Sequence, residues 1–305
     1  MGEDGLNMVC VDCHKTVRHN IPGRCYSVSG DNTNRLTCES CHSDAPHNDR
    51  ILDYHNHKVA CQTCHIPVYA KVNGTTMYWD WSAAGRRDEF GNPIKEYDAD
   101  HNYSYLSIKG RFVFDNMVIP EYVWFNGEAT HFLNDDTVTT LPVQINRLHG
   151  SYVDSASKIW PVKVHRGKQP FDAVTKKILS AKLFSHNYGE GAFWMDLDWE
   201  AALREGMAYN EREYSGQYEF LPTEVYWPVN HMVSKKEQTL SCESCHVRNK
   251  GRIAGLTDFY LPGRDYHKAI DYSGILLIIL SLAGILVHSV ARVICKMRNA
   301  KNCKL

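Results

Sequence analysis

The chain has 305 residues, and its 34 basic and 35 acidic side chains leave a net charge of −1, so no bulk charge points to nucleic acid or to an acidic partner. Hydrophobic residues make up 43%, which excludes a disordered chain, and the length suits one large or two ordinary domains. Eleven cysteines are present, and eight of them fall in four copies of one short pattern.

Three copies lie in the first 65 residues: Cys10-Val-Asp-Cys13-His14, Cys38-Glu-Ser-Cys41-His42 and Cys61-Gln-Thr-Cys64-His65. The fourth, Cys242-Glu-Ser-Cys245-His246, stands alone near the end. C-x-x-C-H is the attachment pattern of a c-type haem. The two thiols form thioether bonds to the haem vinyl groups, and the following His becomes the proximal iron ligand. Paired C-x-x-C units also build structural zinc sites, but zinc does not require His directly after the second Cys. With 16 His in the chain, four such placements by chance have a probability on the order of one in 10⁵. The expected cofactors are four covalent haem c groups, with His14, His42, His65 and His246 as proximal ligands. A zinc-binding structural membrane protein is the unfavoured alternative. Cys25, Cys295 and Cys303 remain, and sequence pairs none of them; Cys25 reads as a buried thiol.

Covalent haem attachment implies an exported protein, which is expected to begin with a charged and then apolar leader. Met1 to Met8 is not of that kind. The expectation is a mature or truncated form, a start placed at an internal Met, or upstream residues on a separate chain.

Residues 1–67 read as a tri-haem segment of short helices and loops, rich in turn formers such as Pro22-Gly23 and Ser29-Gly30-Asp31-Asn32. Residues 68–240 carry no haem motif but most of the aromatic residues, and read as irregular packing against haem faces and the matrix of an enzyme-like domain, with the aromatics as core and haem packing. Within them Arg111 to Phe114 and Glu121 to Phe125 look like short strands, with Asn126-Gly127 as a turn. Trp199 to Ala208 reads as a helix capped by Asp198, and Phe171 to Lys182 as another. Residues 241–268 hold the fourth motif and a connector. The fold class expected is mainly α with much irregular structure and a few short strands, a multihaem cytochrome c domain followed by one C-terminal transmembrane helix.

That helix is read at 270–294. Gly274 to Ala291 contains one ionisable residue, His288, and the stretch is long enough for a bilayer core of about 30 Å. Arg292, Lys296, Arg298, Lys301 and Lys304 follow, making 295–305 a basic cytoplasmic tail and putting the haem domain on the periplasmic or extracellular side. His288 reads as an interfacial residue near the cytoplasmic end.

An electron-transfer haem takes a second strong axial ligand, commonly His or Met. His19, His47, His55, His165 and His231 are the candidates for it. Pairing between haems is left open by the sequence.

Several strings longer than the bare motif carry a resemblance. Gly5-Leu-Asn-Met8, Val59-Ala-Cys-Gln-Thr-Cys-His-Ile-Pro67, Trp79-Asp-Trp-Ser82, Trp160 through Asp172 and Leu240-Ser-Cys-Glu-Ser-Cys-His246 resemble the octahaem tetrathionate reductase family of multihaem c-type cytochromes. The resemblance runs from about residue 5 to about residue 265 and implies the C-terminal half, since the family has eight haems and this chain has four motifs. It further implies seven bis-His haems and one catalytic haem with a Lys ligand. That haem belongs to the N-terminal group, so no catalytic residue is assigned here. The expected function is a membrane-anchored tetrahaem cytochrome that transfers electrons in a respiratory chain. Redox partner proteins or a quinone-linked donor are its expected partners, with a further segment carrying four more haems. The alternative is a reductase of tetrathionate, nitrite or hydroxylamine. In that reading Arg86-Arg87, Lys163, His165, Arg166 and Lys168 would line an anion pocket.

Overall fold

The structure, a computed structural model, describes residues 8–23 and 35–297. Two compact units form, Met1–Ser241 and Cys242–Leu305. Cys25, the turn at 29–32 and the basic residues from Arg298 onward lie outside the described residues.

The first unit opens with short helical pieces: α1 (Cys10–Cys13), a 3-10 turn (Cys38–Ser40), α2 (Arg50–His55) and α3 (Cys61–His65). The Asp49 carboxylate caps α2, accepting from the backbone N–H of Ile51 at 2.8 Å and of Leu52 at 3.2 Å. Neither α1 nor α2 buries a single residue. These pieces make almost no core of their own, as expected of a segment whose apolar bulk is supplied by something other than side chains.

A mixed sheet follows, and here the mainly α expectation fails. Ten strands form among the described residues: β1 (Thr75–Asp80), β2 (Lys95–Tyr97), β3 (Tyr103–Leu106), β4 (Gly110–Asp115), β5 (Glu121–Phe125), β6 (Ala129–His131), β7 (Val143–Gln144), β8 (Asn146–Leu148), β9 (Lys158–Asp172) and β10 (Tyr218–Pro228). Eight of them make one sheet in the order β2-β3-β4-β1-β9-β10-β7, with β5 also paired to β9; β6 and β8 pair separately. The architecture is α/β, built on β9. Antiparallel β10 runs beside β9 from Asp172↔Tyr218 to Val162↔Pro228, and β1 lies parallel to it at Tyr78↔Arg166 through Asp80↔Lys168.

The physical reason for the miss lies in β9 itself. Pro161, Gly167 and Pro170 interrupt it, and such residues read as strand breakers because proline donates no ladder bond. The strand survives because the proline carbonyls still work. Val229 N–H donates to Pro161 O at 2.9 Å and Leu179 N–H to Pro170 O at 3.0 Å.

The helix expected over Phe171 to Lys182 does not form either. Phe171 and Asp172 end β9, and the Asp172 carboxylate then organises a turn. It accepts from Val174 N–H and Thr175 N–H at 2.8 Å each, and from Ser215 N–H at 2.7 Å. The other local expectations hold. β4 and β5 cover the two expected strands, Gly127 follows at φ +96°, and α5 (Trp199–Tyr209) is capped by Asp198. A one-turn helix, α4 (Phe193–Asp196), precedes α5.

The aromatic residues pack largely on one another. Trp79 stacks on Trp81 at 4.7 Å between centroids, and Phe193 on Trp199 at 4.0 Å. The core is distributed in small clusters, one of Val143, Phe171 and Leu221 under the sheet, another of Leu179, Leu203 and Met207 beneath α5.

The second unit holds a 3-10 turn at Cys242–Ser244, a loop, and α6 (Lys268–Met297). At 30 residues, α6 is about 45 Å long. It is long and apolar enough to cross a membrane, and none of its side chains is buried.

Candidate functional site

Each C-x-x-C-H segment winds into one helical turn. The backbone N–H of His14 donates to Cys10 O at 2.8 Å, that of His42 to Cys38 O at 2.9 Å, and that of His246 to Cys242 O at 2.8 Å. A spacing of three residues puts both thiols on one face of such a turn, with the His next to them. None of the eight motif thiols is in a disulfide and none is fully buried. Among the described residues no group of three or more His, Cys, Asp or Glu comes together as a metal cluster.

The imidazoles give the more specific geometry. His231 faces His14 with ring centroids 6.4 Å apart, and His47 faces His65 at 6.2 Å. Two imidazoles on opposite sides of one metal, each with a metal–nitrogen bond of about 2 Å, carry their centroids about 6 Å apart. The side chains therefore fit six-coordinate haem iron at the first and third motifs. In that arrangement His47, from beside the second motif, would serve the third, and His231, beyond a long haem-free stretch, would serve the first.

Second contacts fix these rings. A carbonyl can only accept, so His14 donates its Nδ1–H to Pro22 O at 2.6 Å, and His246 donates its own to Pro262 O at 2.9 Å. In both rings the proton then sits on Nδ1, and Nε2 is the nitrogen that carries the lone pair a metal would take. His47 Nδ1 lies 2.9 Å from the Asp53 carboxylate, which also accepts the His47 backbone N–H at 3.1 Å. Burial, and then the charge of His47, hold the His65 pKa below the ordinary histidine value and favour the neutral ring that a metal needs.

The second and third motifs touch. The Cys38 and Cys61 thiols share a hydrogen bond, which lowers Cys61 to about 6 and raises Cys38. Partial burial, and then the neighbouring Cys242, push the Cys245 thiol up against the opposing charge of Arg252.

Three candidate ligands stand apart from these pairs. His55 ends α2 and directs Nδ1 at Ile51 O, 2.7 Å away. His19 sits at φ +65° beside Arg18 at φ +49°, in the tight turn that closes the Val17–Asn20 bridge. His165 lies on β9 beside Trp79 and Trp81, where it lines a cavity of about 40 Å³; its Nε2 is buried without a hydrogen-bond partner among the described residues. Three of the residues read as an anion pocket are held in ion pairs. Arg166 pairs with Glu121 at 2.7 Å and Glu224 at 3.0 Å, Arg86 with Glu96 at 3.0 Å, and Lys168 with Asp80 at 3.5 Å.

Sequence reasoning missed Pro22, Pro262 and Asp53. A signal for the two prolines was present, because Ile21-Pro22-Gly23-Arg24 and Leu261-Pro262-Gly263-Arg264 follow the first and last motifs as near repeats.

The family model described as "Cytochrome c bacterial" matches residues 76–249, more than half of the chain. The chain belongs to this bacterial cytochrome c family. The cytochrome is also similar to the octaheme cytochrome c from Shewanella oneidensis, whose crystal structure superposes with a TM-score of 0.73 at 39% identity. That match covers 82% of this cytochrome and 57% of the octaheme protein, so the chain spans little more than half the length of its relative. No curated protein matches. Membership of the family brings covalently bound haem c, and with it electron transfer or haem-based redox chemistry.

Proposed function

We propose that this cytochrome is a membrane-anchored electron carrier holding four haem c groups, at Cys10/Cys13/His14, Cys38/Cys41/His42, Cys61/Cys64/His65 and Cys242/Cys245/His246. When bound, each haem supplies a one-electron Fe(III)/Fe(II) couple. The observation that carries the reading is the pair of facing imidazoles, His14 with His231 and His47 with His65, at 6.4 and 6.2 Å. Two strong ligands on one iron leave no position for substrate, which suits electron transfer and not bond-making chemistry.

The chain's own part is to hold and tune. The thiols anchor, Pro22, Pro262 and Asp53 fix the ring orientations, and His47 links the segment around the second motif to the third. The shared hydrogen bond of Cys38 and Cys61 sets these two attachment points side by side. α6 would anchor the protein in the membrane, and basic residues after its apolar stretch, Arg292 and Lys296, favour an orientation with the haem units outside. A segment carrying four more haems, as the length of the octaheme relative invites, would extend the same wire.

Intact mass and a pyridine haemochrome assay on the protein purified from membranes test the proposal. Four haems per 34.9 kDa chain are expected, with low-spin bis-imidazole signals in the oxidised EPR spectrum. Colourless protein with four free C-x-x-C pairs would sink it.

A further inference from the structure

His231 belongs to no helix or strand. It lies on a strap of chain, Val229 to Leu240, that is moored on both sides of it. Upstream, Val229 N–H donates to Pro161 O at 2.9 Å, and Val229 packs against the buried cluster of Ile66, Tyr69 and Ala70. Downstream, Ser234 N–H donates to His65 O at 2.7 Å and Leu240 N–H to Cys64 O at 3.1 Å. The Ser234 backbone also bonds the His65 ring. The strap that carries His231 to His14 is thus fastened to β9 and to the third motif.

Between these moorings the chain makes one strained step. Met232, the residue after His231, has φ +68°, a left-handed conformation that a Cβ disfavours. Such a residue persists only where its surroundings hold it. The group that holds it is Lys71, whose ammonium donates to Met232 O at 2.8 Å and to Ser234 Oγ at 2.7 Å. Bonds from a charged donor are about twice as strong as neutral ones. Among the described residues no carboxylate forms an ion pair with Lys71, and burial is what lowers its pKa. Lys71 is set in turn by Ala70, which is buried, left-handed at φ +54°, and accepts Met117 N–H at 3.0 Å.

We propose that Lys71 is a positioning residue for His231: its grip on Met232 and Ser234 keeps the strap in the left-handed step that brings this imidazole to the first motif. The inference rests on His231 as the sixth ligand of the first haem, as proposed above. Were Met232 to relax to an ordinary negative φ, Ser234 would stay moored on the third motif and His231 would swing away from His14. The first haem would then lose a ligand although no group that touches it had changed.

The test compares Lys71→Met, Lys71→Arg and His231→Ala in the holoprotein by intact mass, melting temperature, and optical and EPR spectra. Lys71→Met keeps the aliphatic stem and removes the donors. It is expected to retain four haems and to turn one of them from low to high spin, as His231→Ala does. Lys71→Arg should keep the wild-type spectra. The double variant Lys71→Met/His231→Ala should still show one high-spin haem, because both changes act on the same iron. Four low-spin haems in Lys71→Met, with or without a lower melting temperature, would overturn the proposal. So would a second high-spin haem in the double variant. No high-spin haem in His231→Ala would instead overturn the ligand reading beneath it. Should Lys71→Met not fold, Lys71→Gln, too short to reach both acceptors, decides by the same spectra.

Discussion

His231 is far from His14 in the chain, yet its ring comes to 6.4 Å. Replacing His231 by Ala should leave four haems attached, because no thiol is touched, and should convert one of them from low to high spin. His47→Ala should do the same to a different haem, and the two effects should add in the double variant; optical and EPR spectra read both. Conversion in neither variant would mean that these imidazoles face each other without an iron between them. Asp172 carries a second prediction at this scale. Burial works to raise its pKa, but hydrogen bonds from Ser215, Thr175 and Val174 outweigh it and hold the carboxyl below its usual value near 3.8. Its contribution to stability is therefore complete above that value and is lost as pH falls through the lower, folded one. Asp172→Asn should cost about 2–3 kcal/mol at neutral pH, since a charged acceptor is lost from a buried set of donors. Thermal melts should show the gap between variant and wild type closing in acid. The four C-x-x-C-H motifs were legible in the sequence because the attachment chemistry proposed for them occupies five consecutive positions. The partners of His14 and His65 were legible only as a list of five candidates, since chain folding, not spacing, decides which imidazoles meet.

Among elements, β9 is the one on which the others depend, with β1, β5 and β10 all bonded to it. Gly167 is where β1 comes closest. Its partner in register is Trp79, and an added Cβ would lie 2.6 Å from Trp79 O. Gly167→Ala should therefore push β1 away and cost about 1–3 kcal/mol, visible as a lower melting temperature with unchanged haem content. A stability equal to wild type would show that β1 and β9 are not in close contact there. The same glycine, with Pro161 and Pro170, hid the strand from sequence reasoning. Local pattern treats them as breakers, whereas pairing on both edges supplies the order they withhold. Capped α5 and alternating β4 were readable because their signals are local. The aromatic residues could be read only as packing, because burial against a haem and burial against another indole need the same side chains.

Over the whole molecule, two kinds of solvent are implied. The sheet unit has an aqueous surface with ion pairs such as Arg166 with Glu121 and Glu224, whereas α6 exposes an apolar surface over most of its length. Deleting residues 268–297 should release a haem-containing protein from membranes at high salt without detergent, whereas the full chain should stay with the lipid fraction. A full chain that washes off in salt would assign α6 to contacts with protein instead. Sidedness can be read by protease accessibility in sealed vesicles.

The meeting of Cys38 and Cys61 bears on how the molecule is made. A newly exported chain would present these two thiols, from different motifs, within reach of each other. Oxidation of the pair would release two protons, pass two electrons to a thiol–disulfide oxidant, and tie the second motif to the third in a form that takes no haem at either. On the proposed attachment, maturation would then depend on timing, and whichever of the two sites is filled first would shield the other from a dead end.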